Sequence, residues 1–191
     1  MYINNFAYHP YNISQAFCPF FNSAYRNKIQ NFSSFEGTVI RIEDLDQNTN
    51  DSSAGCYKLI YLETKDRGPV NFVVSPDTYF VDYETIEAGD TITAFYDSNA
   101  PVILIYPPQY QAIIISKETE YQNVIVDYFD NQLINSNKTL KLNLAPSTET
   151  ILKNNQPFNR YPGARNLIVV YGPTTKSIPA QTTPYRIIVM C

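Results

Sequence analysis

The sequence is poor in the side chains that most enzymes use for catalysis. Its 191 residues include one histidine, His9, and three cysteines that lie far apart. A catalytic triad needs a histidine held in a fixed orientation, and His9 lies in a segment without regular patterning. The G-x-x-x-x-G-K-[ST], G-x-G-x-x-G and H-E-x-x-H motifs, which bind nucleotides or zinc, are absent. We therefore expect no enzymatic activity, no cofactor and no metal site.

Charged residues are also scarce. They form 17% of the chain and give a net charge of −4, whereas an average protein has about 25% charged residues. Nucleic-acid binding needs clustered Lys and Arg to neutralise phosphates. We therefore expect no nucleic-acid partner.

Long apolar runs are missing. The longest stretch, Pro101–Tyr106, leads into Pro107-Pro108 and is far shorter than the roughly 18 apolar residues of a membrane-spanning helix. The first residues lack the basic and apolar regions of a secretory signal. We expect no membrane insertion, and synthesis in the cytoplasm without a signal peptide.

Aromatic residues, by contrast, are abundant, with 16 Tyr and 11 Phe. Nine of these 27 aromatics lie in residues 1–34, among Asn, Ser and Pro. This segment sustains neither the period of about 2 that marks a strand nor the period of about 3.6 that marks a helix. The pattern predicts an N-terminal aromatic arm at residues 1–34.

From residue 35 onward, short alternating runs are separated by turn residues, which is typical of an all-β fold. The pattern predicts strands at residues 37–42, 57–64, 69–74, 91–96 and 111–116. Lys65–Gly68 and Ala88–Asp90 are predicted turns because they combine Gly with Asp.

The second half of the chain repeats the first. Residues 70–81 align with residues 140–151, and each segment contains Pro-x-Thr, with the threonines at Thr78 and Thr148. Pro-Pro-Gln109 and Pro-Ala-Gln181 recur in the same order. Each repeat supplies about five strands, which suits a small antiparallel barrel of the oligonucleotide/oligosaccharide-binding type, or a compact sandwich. We predict two tandem β-barrels, at residues 35–117 and 118–191.

Three segments of the first repeat are also similar to segments of a known kind of domain. Phe35-x-Gly-Thr-Val-Ile-x-Ile, Gly89-Asp-Thr-Ile-Thr-Ala-Phe-Tyr and Tyr106-Pro-Pro-Gln-Tyr-Gln-Ala follow one another in order. They resemble a small β-domain that recurs in proteins of spore-forming Firmicutes, with residues 123–190 as a diverged second copy. The resemblance implies a subunit of a spore surface or spore appendage, and it carries over no catalytic residue.

The arm and the cysteines support a hypothesis of self-assembly. The arm lies outside the repeats, so we expect its aromatic residues to dock on another copy of the chain. The candidate docking residues are Phe6, Tyr8, Tyr11, Phe17, Phe20 and Phe21. Cys18, Cys56 and Cys191 are candidates for intermolecular disulfides that lock this contact. The alternative is an arm folded on its own barrel, with three free thiols.

The tyrosines of the first repeat allow a different function. Tyr96, Tyr106 and Tyr110 are candidate ligand-binding residues that could stack on a sugar. The alternative is cross-strand aromatic packing. The acidic residues between 44 and 51 and between 77 and 90 lack the spacing of a calcium loop, and we interpret them as solvated turns.

The sequence thus favours a structural protein that assembles with copies of itself into a fibre or layer. Such a protein would end on the spore or cell surface. A carbohydrate-binding or small-ligand-binding module is the alternative function.

Overall fold

The computed structural model describes residues 30–45 and 55–191. Strands make up nearly all of the regular structure, and the one helical element in these ranges is a short 3-10 turn at Val81–Tyr83. The predicted all-β fold class is confirmed. The strands of the first half are β1 Phe32–Asp44, β2 Lys58–Thr64, β3 Gly68–Val74, β4 Tyr79–Phe80, β5 Thr91–Asp97, β6 Gln109–Gln111 and β7 Ile114–Lys117. Those of the second half are β8 Asn123–Phe129, β9 Leu140–Leu142, β10 Glu149–Leu152, β11 Arg165–Tyr171, β12 Ala180–Thr182 and β13 Pro184–Met190.

The first half closes into a five-stranded barrel. The long strand β1 pairs with β5 through its first part and with β2 through its second part, and its register shifts between Val39 and Arg41. β2 continues into β3 as an antiparallel hairpin. The barrel closes at Ala112 and Ile113, where the Ala112 N–H bonds to β3 and the next N–H bonds to β5. The strands β6 and β7 on either side of these residues thus join the two ends of the sheet.

Side-chain alternation explains which face of β1 is inside. Phe35, Gly37 and Val39 are buried, while the residues between them are exposed. Gly37 lies where β1 passes β2, and a Cβ at this position would overlap the carbonyl oxygen of Glu63. The interior also contains Ile60, Leu62, Val70, Phe72, Ile92 and Ala94. A period of two therefore gives the barrel its apolar core.

The second half repeats this arrangement. β11 pairs with β8 and β13, and β12 pairs in parallel with β9. The segment that contains Ile134 and Asn135 takes the place that β2 has in the first barrel, because single bridges join it to Phe129 on one side and to Lys141 on the other. A separate core contains Phe129, Leu133, Leu140, Leu142, Leu167, Val169 and Ile187.

The strand registers agree with the repeat found in the sequence. Asn71 of β3 lies opposite Gln109, and Lys141 of β9 lies opposite Gln181. The sequence repeat equates Asn71 with Lys141 and Gln109 with Gln181, so the two pairs occupy equivalent positions. The short strands β4 and β10 also occupy the same place, each parallel to the last strand of its own barrel.

The two barrels pack against each other through a third apolar cluster. Residues of β4, β5 and β7 contact residues of β8, β10, β11 and β13, among them Phe95, Ile114, Val126, Ile168, Val170 and Ile188. Polar contacts flank this cluster. The guanidinium of Arg186 pairs with the carboxylates of Asp82 and Glu149, and the Tyr83 hydroxyl donates to the Lys153 carbonyl oxygen at 2.9 Å.

The first strand extends beyond its predicted ends. β1 begins at Phe32, within the segment predicted as arm. The backbone of Phe32–Phe35 pairs with β5, and backbone pairing does not require an alternating side-chain pattern. Phe32 packs against the cluster between the barrels. Residues 1–29 and residues 46–54, which include most of the first predicted solvated turn, lie outside the described residues.

Candidate assembly surface

An apolar ridge, Val102–Tyr106, projects from the first barrel between β5 and β6. Leu104 is 99% exposed and Tyr106 is 83% exposed, and the other three side chains are also exposed. Pro101 and Pro107 flank the ridge, and proline cannot donate a backbone hydrogen bond to a neighbouring strand. One bridge, between Ile103 and Gln109, holds the ridge to the described part of the chain. Five consecutive exposed apolar residues form a patch of the kind that marks an interaction site.

The arm enters the fold next to the loop that carries this ridge. The carbonyl oxygen of Asn31 accepts hydrogen bonds from the backbone N–H of Ser98 at 2.8 Å and from its hydroxyl at 3.0 Å. Ser98 directly follows β5 and lies four residues before Val102. The end of the arm and the start of the ridge loop are therefore fixed to one another.

The arm and the barrels differ in charge. Residues 1–29 contain Arg26 and Lys28 and no acidic residue, so all 18 acidic residues belong to the rest of the chain. The predicted docking residues Phe6, Tyr8, Tyr11, Phe17, Phe20 and Phe21 lie outside the described residues, as does Cys18. Opposite net charge favours contact between an arm and a barrel.

Two of the three predicted disulfide cysteines lie on the described surface. Cys56 precedes β2 and Cys191 ends the chain, and both are exposed with free thiols. Exposed thiols are accessible to oxidation and to cysteines of another chain.

The structure brings together two of the three candidate ligand-binding tyrosines. The ring centroids of Tyr96 and Tyr110 are 4.3 Å apart, and Phe35 and Phe72 pack against both rings. Burial, aided by the neighbouring Tyr110, raises the pKa of Tyr96. Tyr106 lies apart, on the apolar ridge. The faces of Tyr96 and Tyr110 are thus engaged in aromatic packing, which leaves little of them for stacking on a sugar.

Sequence reasoning missed the two phenylalanines of this aromatic cluster. Phe35 occupies an inward position of β1, and the alternation of that strand was a signal that could have found it. Phe72 lies among five consecutive buried residues of β3, so no alternation marks it. Arg67 covers the outer ring, with its guanidinium carbon 3.9 Å from the centroid of Phe35. Such a cation–π contact stabilises the cluster at the surface.

A cavity of about 760 Å³ is lined mainly by the first barrel, and Lys153 and Asn154 of the second barrel complete it. No pattern in the sequence indicated this cavity, because its lining comes from both halves of the chain. Much of its lining is apolar and consists of Ile42, Ile60, Val74, Phe80 and Ile86. The charged residues of the lining are Lys58, Asp77, Glu84 and Lys153. At one side, Asp82 and Tyr83 have left-handed backbones with φ of 59° and 55°. Burial, together with nearby Tyr83, raises the pKa of Tyr79 to about 12. The cavity has the volume of a small-molecule site.

The acidic residues of the first half engage in local contacts. Asp90 pairs with Lys117 at 2.8 Å, and hydrogen bonding from Lys117 lowers the pKa of this carboxyl. Within residues 30–45 and 55–191, no group of three or more His, Cys, Asp or Glu side chains could hold a metal ion. In the same ranges, no helix is long and apolar enough to cross a membrane.

Comparison with known proteins adds no relative: no family model matches the chain, and no curated protein matches it.

Proposed function

We propose that this protein is a structural subunit that assembles with copies of itself into a fibre or layer. The N-terminal arm of one copy binds the barrels of the next, and intermolecular disulfides lock the contact. An arm and its acceptor are different surfaces of one chain. The contact is therefore heterologous and repeats from copy to copy.

The apolar ridge is the observation that carries this proposal. Exposing Leu104 and its neighbours to water is unfavourable by about 25 cal/mol for each Å² of apolar surface. Covering the ridge with aromatic side chains of an arm recovers this free energy. The chain thus contains an apolar surface that needs a partner and an aromatic segment that can supply one.

The positions of the cysteines favour intermolecular disulfides that form after assembly and hold the copies together. Cys56 and Cys191 are exposed, and Cys18 lies within the arm that would pass to the neighbouring copy. An intramolecular pairing is not needed for either barrel, because each has its own apolar core. Disulfides of this kind form in an oxidising environment.

The resemblance to a β-domain of spore-forming Firmicutes supports the spore surface, or a spore appendage, as the site of assembly. Immunogold labelling of intact spores with an antibody to this chain tests that location. Label confined to the spore interior would contradict it.

A substitution in the ridge tests the proposal directly. Leu104→Asp puts a charge at the centre of the ridge, and we expect it to prevent the formation of high-molecular-weight species, measured by size-exclusion chromatography and negative-stain electron microscopy. Ile178→Asp is the matched control, because Ile178 is an isolated residue, 97% exposed, in the equivalent loop of the second barrel. A wild-type chain that stays monomeric at high concentration under oxidising conditions would refute the proposal.

The disulfide lock has a test of its own. We expect Cys56→Ser and Cys191→Ser chains to assemble but to dissociate on dilution, whereas wild-type assemblies resist dilution until a reductant is added. Non-reducing gel electrophoresis should show ladders of covalent oligomers for the wild-type chain only. Wild-type assemblies without covalent oligomers would exclude the lock and leave arm docking intact.

A further inference from the structure

We propose that the free edge of β8 is the acceptor for the arm, and that residues from the first 29 of a second copy add to it as a further β-strand. This inference rests on the proposed function, since it adds to the ridge a second surface of the neighbouring copy to which the arm binds.

β8 is the longest strand at the end of a sheet in the described part of the chain. It has seven residues, whereas β4, β6, β9, β10 and β12 have two to four. It pairs with β11 on one side, and on the other side the described ladders reach it only through the bridge from Phe129 to Asn135. The sequence Val124-Ile125-Val126 has high β propensity. A long apolar edge of this kind is a template for strand addition.

The hydrogen bonds at Tyr128 identify which positions of the edge are open. The backbone N–H of Tyr128 donates to the carboxylate of Asp127 at 2.7 Å, so it points away from β11. Backbone groups alternate in direction along a strand, so the N–H groups of Val124 and Val126 also point away from β11. Asp127 accepts further bonds from Asn135 and Ser136, which close the last part of the edge. The open part is therefore residues 123–126.

A groove of about 370 Å³ separates β8 from the start of β1. Ile125, Val126 and Asp127 line one side, and Asn31–Ser34 line the other. On the β1 side, the Ser34 carbonyl oxygen already accepts a hydrogen bond from the Arg67 guanidinium at 2.9 Å. The edge of β1 is thus occupied at Ser34, whereas residues 123–126 of β8 have no strand partner on this side among the described residues, and this difference selects β8 as the acceptor.

The arm suits this groove in charge and in reach. Asp127 forms no ion pair with a described cation within 4.0 Å, and the arm contributes Arg26 and Lys28 without any acid. Asn31 lines the groove, so the C-terminal end of each arm lies beside the groove of its own chain. Because an extended chain spans about 3.3 Å per residue, 29 residues can reach the same groove of an adjacent copy. Occupation by the neighbour's arm repeats along a fibre, as the proposed function requires.

A proline at Val124 tests the acceptor. Val124→Pro removes an N–H from the free edge without removing a bond to β11, and we expect the variant to remain unassembled. Val124→Ala is the matched control, because it shortens the same side chain but keeps the N–H, and it should assemble. Far-UV circular dichroism and thermal unfolding verify that both variants fold.

A mixing experiment separates binding between copies from binding within one copy. A chain of residues 30–191 retains every described strand and has the β8 edge without the arm, whereas Val124→Pro has the arm without an open β8 edge. We expect the two to form 1:1 heterodimers that do not grow, as measured by mass photometry. If neither assembles alone and no heterodimer forms, the arm binds its own chain and the inference is overturned.

The remaining outcomes distinguish this inference from the proposed function. If Val124→Pro assembles like the wild type, the acceptor is elsewhere, although assembly itself stands. If the wild type does not assemble, the proposed function fails. If Val124→Pro does not fold, the test is amide hydrogen exchange of the assembled wild-type chain, compared with that of the chain of residues 30–191. Slower exchange of the Val124 and Val126 amides in the assembly supports the inference. Equal exchange in the two samples overturns it.

Discussion

The hydroxyl of Thr78 donates a hydrogen bond to the carbonyl oxygen of Ala112, 2.9 Å away, and accepts one from the backbone N–H of Ser75. These bonds tie the turn after β3 to the strand that closes the first barrel. Thr148 makes the same pair of bonds in the second barrel, to Pro184 and from Ala145. The Pro-x-Thr motif of the sequence repeat therefore has a structural role, which is to join two segments about 35 residues apart.

Replacing Thr78 with valine should destabilise the protein. The substitution keeps the shape of the side chain but leaves the N–H of Ser75 and the carbonyl of Ala112 without this partner. Loss of a hydrogen bond to buried groups costs about 1–3 kcal/mol, and we expect a loss of that size in the free energy of unfolding, measured with urea.

The controls for this substitution are two other threonines. Thr148→Val should cost less, because Thr148 is half-buried whereas Thr78 is buried. Thr85→Val at an exposed position should change stability by less than about 0.5 kcal/mol. Equal effects at Thr78 and Thr85 would contradict a role for the Thr78 hydroxyl.

The repeat and the strand pattern were predictable because they depend on local spacing. Phe35 and Val39 alternate with exposed residues, and Pro76-x-Thr78 recurs as Pro146-x-Thr148, so both features can be read along the chain. The sequence also identified the apolar stretch at residues 101–106. It did not identify its exposure, because an apolar run has the same composition in a buried strand as in a ridge between prolines.

Features formed by residues far apart in sequence could not be predicted. Arg186 contacts Asp82 across 104 positions, and neither residue belongs to a motif. The cavity that both barrels line and the groove beside β8 depend in the same way on how the two barrels pack. Among the described residues, β8 pairs with a strand on one side only, and no pattern within the strand itself can indicate which side lacks a partner.

Gly37→Ala should destabilise the first barrel. A methyl group at this position would overlap the carbonyl oxygen of Glu63 and crowd the Leu62 side chain, so β1 and β2 would have to separate. Overpacking of this kind typically costs about 1–3 kcal/mol, measurable as a lower midpoint of thermal unfolding. Thr38→Ala, at the next and exposed position of β1, is the control, because it puts the same methyl side chain on the outer face of the strand. An unchanged midpoint for Gly37→Ala would show that the strands separate without cost.

Arg186→Met should weaken the contact between the barrels. The variant leaves the carboxylates of Asp82 and Glu149 without their shared guanidinium, while the methionine keeps much of the apolar contact of the arginine stem. Because all three side chains are partly exposed, solvent screens the pair and the expected loss is about 1 kcal/mol or less. The loss should shrink in high salt. A loss that does not change between low and high salt would show that packing, rather than charge, is responsible.

Raising the pH above 10 should destabilise the protein partly through Tyr79. Burial raises its pKa to about 12 in the folded chain, whereas an unfolded tyrosine titrates near 10. The folded state therefore holds the proton more tightly, so this contribution to stability is complete below about pH 10 and is lost as the pH rises through 12. A difference of this size corresponds to about 2–3 kcal/mol. Tyr96 and Tyr171, whose pKa values burial also raises, add to the same decline.

Tyr79→Phe should therefore flatten the fall in unfolding free energy between about pH 10 and 12, measured by urea unfolding at each pH and compared with the wild type. Tyr121→Phe, at an exposed position, should leave the slope unchanged. If the Tyr79→Phe and wild-type curves run parallel, the Tyr79 hydroxyl ionises in the folded chain as easily as in the unfolded one. Its burial within the cluster that joins the barrels would then have no energetic effect on ionisation.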